Sequence, residues 1–264
     1  MPILCYQISG PLEANERSTT GAANGHVAAV IKRDHEEAAA QVYSELAANR
    51  LASFLGIPVV AGVAARDPSN PDLLRFAALR AADSHLDIYD FSADPMDEAS
   101  CADIPPQQGM LRTIAHPTAT QQLCAKYPVE AAHIAVFDLW ICNLDRDYNF
   151  KAELNSPNRG IIFAMDQGSS LLACRSTVAK SLEALQSTDT PSSHPFQSLV
   201  DGRLCGQMVE RILSLPDWAL EAATTYDDTI GNVILPDQYT TYEALSERRK
   251  HLGQLVDRIL LRPA

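Results

Sequence analysis

Within residues 129–154, VEAAHIAVFDLWICNLDRDYNFKAEL, an oily helical run ends abruptly in a knot of aspartates, asparagines and an arginine. Asp145 lies in that knot, just after Val136, Phe137, Leu139, Trp140 and Ile141. A carboxylate held at the end of a well-packed helix can accept a hydroxyl proton or orient a nucleophile. Asn149 comes four positions later, and its amide oxygen is a hard ligand suited to magnesium. Asp166 ends the apolar run RGIIFAMD, 21 positions beyond Asp145, and offers a second hard oxygen from a strand. Mg²⁺ needs few protein ligands when phosphates and water complete its octahedron. An acid, an amide and then a strand-borne acid is the order in which phosphoryl-transfer sites present these groups. The same residues would also suit a helix-terminating loop, in which Asp and Asn cap and turn the chain.

Two further candidates lie upstream. Lys32 closes the apolar run VAAVIK, after a turn, STTGAANGH, that contains Gly21 and Gly25. A lysine so placed can reach the phosphates of a nucleotide, and the backbone N–H groups of the turn can meet the same phosphates. Strands also commonly end in an exposed lysine, and GAANGH is not a Walker A sequence because GK[ST] is missing. Glu45 falls near the middle of the next helix. It can pair with Lys32 if that helix packs beneath the sheet, and is otherwise a solvated helix glutamate.

The elements that must position these groups follow from pattern. CYQIS and VAAVIK read as strands, and HEEAAAQVYSELAANRLASFLG as a helix with acids in its first turn and a stop at Gly56. IPVVAGVAAR reads as a further strand before the turn DPSNPD. TATQQLCAKY and PVEAAHIAVFDLWI are consecutive helices, with Pro128 suited to the first turn of the second. RGIIFAMD has strand length, and STDTPSSHPFQS is a loop by composition. CGQMVERILSLP, DWALEAATTY and YEALSERRKHLGQLVDRILL carry helical spacing, with ERRKH as a solvated basic face. The expected organisation is a small mixed lobe over 1–70 and a larger, mostly helical lobe over 71–264, with a ligand cleft between them.

Composition excludes several classes. Hydrophobic residues make up 46% and charged residues 20% of 264, as in ordinary globular chains. A formal charge of −12 argues against general nucleic-acid binding. No apolar run approaches the ~18 residues of a membrane span, and the N-terminus lacks the basic-then-apolar pattern of a signal peptide, so a cytoplasmic protein is expected. Six scattered cysteines without a CxxC pair fit reduced thiols, and seven histidines show no HxxxH or HExxH spacing. Ser169 and Ser170 in DQGSS lack the G-x-S-x-G frame of a hydrolase.

Three blocks, SELAANRLASFLGIPV, FDLWICNLDRDYN and IIFAMDQGSSL, resemble the HipA-like kinases, bacterial relatives of the protein-kinase and phosphatidylinositol 3/4-kinase fold. The C-terminal LPDWALEA and LSERRKHLGQLV are similar to the helical end of the compact members of that family. The likeness spans most of the chain in order, with about 65–125 poorly covered. It implies an α+β, bilobal, protein-kinase-like fold and an ATP- and Mg²⁺-dependent kinase acting on an acceptor hydroxyl, expected to be on a protein. In that resemblance Lys32 is the ATP-phosphate lysine with Glu45 as its partner. Asp145 is the catalytic aspartate, and Asn149 and Asp166 are magnesium ligands. Asn143 and Arg146 then shape the loop. This chain departs from the family in one respect: Asn149 follows Asp145 by four positions rather than the five of kinases. That shortened loop keeps open a nucleotide-binding pseudokinase or regulatory module, and small-molecule or lipid transfer is a further alternative.

Overall fold

The structure is a computed structural model that describes residues 6–11, 22–36, 38–79, 88–90, 116–146, 149–154 and 160–262. At the N-terminal end, strands β1 (Tyr6–Pro11) and β2 (Ala23–Val27) pair antiparallel, with Ile8 opposite Gly25. Residues 23–26, expected within a turn, are therefore strand, joined by Val27. β3 (Ala29–Lys32), β4 (Gly62–Asp67) and β5 (Asn70–Leu79) form a second antiparallel sheet in the order β3-β5-β4. Asp67 makes the β4–β5 turn by accepting from the Ser69 N–H and hydroxyl at 2.8 and 2.7 Å. The sheet runs to Leu79, and Asn70 opens its central strand.

Helix α1 (Gln41–Leu55) opens at Gln41 rather than at His35, so it has no acid in its first turn. The reason is local. His35 and Ala38 close a short backbone pair, and the Asp34 carboxylate accepts the Val42 N–H at 2.8 Å. Gly56 ends the helix at φ +65°, a left-handed cap open to glycine at little cost. The helix is fixed from the C-terminal side as well. Tyr43 Oη donates to the Thr224 carbonyl at 2.8 Å, and Arg211 donates to the Leu55 carbonyl at 2.9 Å.

The third sheet, β6 (Ile88–Asp90), β7 (Phe150–Glu153) and β8 (Ile162–Ala164), is antiparallel in chain order. It joins the first part of the chain through Val60 N–H to the Ala164 carbonyl at 2.9 Å and Ala164 N–H to the Pro58 carbonyl at 2.7 Å. The helices of the C-terminal part are α2 (His116–Lys126), α3 (Pro128–Ile141), α4 (Val178–Gln186), α5 (Gly202–Leu213), α6 (Asp217–Thr224), α7 (Leu235–Arg248) and α8 (Leu252–Ile259). Helix α3 is apolar on nearly every side and accordingly buried, packed against α5, α7 and α8. Trp140 Nε1 donates to the Leu245 carbonyl at 3.1 Å. No helix among the described residues is long and apolar enough to cross a membrane.

The expected continuous helix over 242–261 is instead α7 and α8, separated by a 3-10 turn at Arg249–His251. The solvated reading of ERRKH also fails at one position, because Arg248 is only 5% exposed. Its guanidinium donates to the carbonyls of Leu139 at 2.9 and 3.0 Å, Leu185 at 2.8 Å, Ser187 at 2.5 Å and Thr190. It thereby pins the 187–198 loop to α3. Arg248→Met should cost about 3 kcal/mol of unfolding free energy, because several buried carbonyls lose their donor. Urea denaturation of the two proteins measures this difference.

Candidate active site

Lys32 reaches out of β3 from the row it shares with Phe76 and Ala64. Its Nζ lies 2.5 Å from Glu45 Oε1 on α1 and 2.7 Å from Asp166 Oδ1 beyond β8. Glu45 is 2% exposed, which rules out a solvated glutamate. Burial pulls the Lys32 ammonium down, but the Glu45 and Asp166 carboxylates outweigh it, and the net shift is upward. Burial pushes the Glu45 carboxyl up to about 7 against the pull of Lys32, with Asp166 adding to the rise.

A cavity of about 280 Å³ opens beside this junction. Val30, Phe76 and Ala78 of the N-terminal sheet face Phe163 and Met165 across it, and Lys32, Asp166 and Gln167 form its polar end. The apolar walls suit a flat base and the charged end suits phosphates. Gln167 is buried, and its Nε2 has no hydrogen-bond partner among the described residues. Gly62 allows the roof to form, since a Cβ there would lie 2.0 Å from Phe76 Cζ.

The second half of the site hangs from α3. Asp138 and Arg146 are both fully buried, with Arg146 Nε 2.7 Å from Asp138 Oδ2 and a second nitrogen 2.8 Å from Oδ1. Asn143 donates to Asp138 Oδ1 at 2.9 Å, and His194 Nε2 lies 3.3 Å from Oδ2. The remaining Arg146 nitrogen donates to the carbonyls of Asn149 at 2.5 Å and Met165 at 2.8 Å. Met165 N–H in turn donates to the Asn149 carbonyl at 2.9 Å. One guanidinium therefore joins the Asp145 loop to the residue preceding Asp166.

Asp145 is exposed, with its N–H on Asn143 Oδ1 at 3.1 Å and its carboxylate 3.4 Å from the Ser169 hydroxyl. Asn149 commits its amide nitrogen to the Asp145 carbonyl at 2.5 Å, which leaves the amide oxygen to offer to a cation. Asp166 sits at φ +53°, an uncommon backbone conformation for a non-glycine residue. Gly168 permits the close passage that follows: a Cβ there would be 2.8 Å from Gln41 Cγ and 3.2 Å from Asp166 Oδ1.

The structure thus brings Lys32, Glu45 and Asp166 into direct contact and ties the Asp145–Asn149 loop to them through the backbone. Gly25 stands exposed in β2, and Gly21 lies outside the described residues. Sequence reasoning missed Asp138, His194 and Gln167. Asp138 had left a signal, a single acid inside an otherwise apolar helix. No group of three or more metal-binding side chains clusters among the described residues.

The crystal structure of the Helicobacter pylori proinflammatory kinase CtkA superposes on this chain with a TM-score of 0.53 and 14% identity, covering 94% of this chain and 95% of that one. The fold is kinase-like. No family model and no curated protein matches the sequence.

The Asp138–Arg146 pair makes a prediction. Burial alone would raise the Asp138 carboxyl, but the Arg146 charge and the hydrogen bonds of Arg146 and His194 overcome it and hold the group at about 2, below the ordinary 3.8. A depressed acid stabilises the fold fully above its unfolded value and loses that contribution as pH falls toward the folded one. Asp138→Asn should therefore cost about 3 kcal/mol at pH 7, with Arg146 left buried and unpaired. The gap from wild type should narrow between pH 3.8 and about 2, read by urea unfolding at each pH.

Proposed function

We propose that this protein is an ATP- and Mg²⁺-dependent phosphotransferase of the HipA-like kind, acting on a protein Ser or Thr hydroxyl. The observation that carries the reading is the junction of Lys32, Glu45 and Asp166 at the charged end of an otherwise apolar cleft. In this reading the N-terminal lobe is the nucleotide lobe. Lys32 holds the phosphates, and buried Glu45 keeps the ammonium charged and aimed. The second oxygen of Asp166 and the amide oxygen of Asn149 are the hard donors available to Mg²⁺, a donor set that fits a cation finishing its octahedron with phosphate and water. When bound, Mg²⁺ would neutralise charge on the transferring phosphoryl group. Asp145 orients the acceptor hydroxyl and takes up its proton, and Arg146 and Asn143 keep the loop in place.

The second reading is a nucleotide-binding module without turnover, for which the four-position spacing of Asp145 and Asn149 speaks. The two separate in one pair of measurements. Asp145→Ala should lower transfer from γ-³²P-ATP at least ~10³-fold. Its thermal stabilisation by ATP and Mg²⁺ should stay near that of wild type, since a ligand of the native state raises its stability whether or not chemistry follows. Lys32→Met should lose both. Transfer unchanged in Asp145→Ala removes the assignment of that residue, and wild-type binding without any transfer favours the module.

A further inference from the structure

A second cavity, of about 440 Å³, lies against the other flank of the Asp145 loop. Asn143, Leu144 and Arg146, the neighbours of Asp145, form one wall; Arg175 and the 189–195 segment form the other. The cavity is preformed. Arg248 holds the carbonyls of Ser187 and Thr190 at one end of that segment. At the other end, His194 is fixed through Asp138 and by the Phe196 N–H, which donates to its Nδ1 at 3.0 Å. The backbone of Arg175 is set by Ser181, whose hydroxyl accepts the Arg175 N–H at 3.0 Å.

The charges of this cavity do not cancel. Arg146 is neutralised by Asp138, and Asp189 is paired with Arg258 at 2.7 Å. Arg175 is exposed, has no acidic partner among the described residues, and its guanidinium donates there only to the Cys174 carbonyl, at 3.3 Å. We infer that this cavity is the docking subsite for the acidic flank of a peptide acceptor, with Arg175 as the residue that selects a carboxylate beside the phosphorylated hydroxyl. The inference rests on the phosphotransfer reading and names the acceptor class for it. The overall charge of −12 repels acidic chains at long range, but screening at physiological salt removes most of that beyond ~8 Å, and the local cation decides.

The test uses the full chain with a non-hydrolysable ATP analogue and Mg²⁺, and two fluorescein-labelled peptides with one central Ser flanked by Glu or by Arg. Anisotropy should show the Glu-flanked peptide bound roughly tenfold more tightly by wild type, an advantage reduced by added salt. Arg175→Gln should erase the preference and Arg175→Glu reverse it, with thermal unfolding checking that each variant is folded. Transfer from γ-³²P-ATP to the same peptides is read in parallel. An Arg175-dependent preference without transfer supports the subsite and counts against phosphotransfer alone. Equal affinities, a preference for the Arg-flanked peptide, no binding of either, or a preference untouched by both variants overturns the subsite.

Discussion

The Asp138–Arg146 pair is the constraint on which the rest of the site depends. Removing two charges from water costs several kcal/mol per ion, and attraction repays it only when geometry is good and the remaining polar atoms are satisfied. Here that condition is met. Asp138 receives two guanidinium nitrogens, an amide and an imidazole, and Arg146 spends its last nitrogen on two carbonyls of different loops. A hydrophobic pair of similar volume could fill the space, but it could not hold those carbonyls. The ion pair thus serves geometry, fixing the distance between the Asp145 loop and the strand end that carries Asp166.

The Lys32 junction has the opposite character. It spans the lobes, sits beside a cavity, and places one ammonium against two carboxylates. Polyanionic phosphates brought beside two carboxylates call for a cation. In the proposed reading phosphates draw Lys32 from Asp166 while Glu45 stays with it, and Asp166 turns to the metal. Glu45 can keep that role because α1 is anchored to the helical lobe through Tyr43 and the Leu55 carbonyl, not only to the sheet above it. A rigid loop anchor below and an exchangeable contact above divide the tasks of positioning and binding.

Periodicity and punctuation made much of this legible before any coordinates. Gly56 stops α1, Pro128 opens α3, and RGIIFAMD delivers Asp166 from a strand, because each depends on local chemistry. Residue type and order made Lys32 and Glu45 only candidates, and the resemblance to HipA-like kinases joined them to Asp166. What was hidden is tertiary. Residues 23–26 become strand only through pairing with β1, and FKAE only between β6 and β8. Arg248 looked like one more surface cation, since its role comes from carbonyls up to 109 positions away. His194 sat in a segment judged by its composition as loop, and that segment is loop; the composition could not reveal that one of its side chains closes a buried cluster 56 positions distant.

The short span from Asp145 to Asn149 is the point at which sequence comparison and physical structure pull apart. One residue fewer between two functional groups would displace the second if the loop were free to extend. Both ends of this span are held. Asn149 N–H donates back to the Arg146 carbonyl at 3.1 Å, its side chain donates to Asp145, and its own carbonyl is shared by Arg146 and the Met165 N–H. Asn149 thereby enters β7 beside the residue before Asp166. In the proposed reading, what matters to a metal is where the donor oxygen ends rather than how many residues lead to it, and Arg146 holds the backbone of that donor.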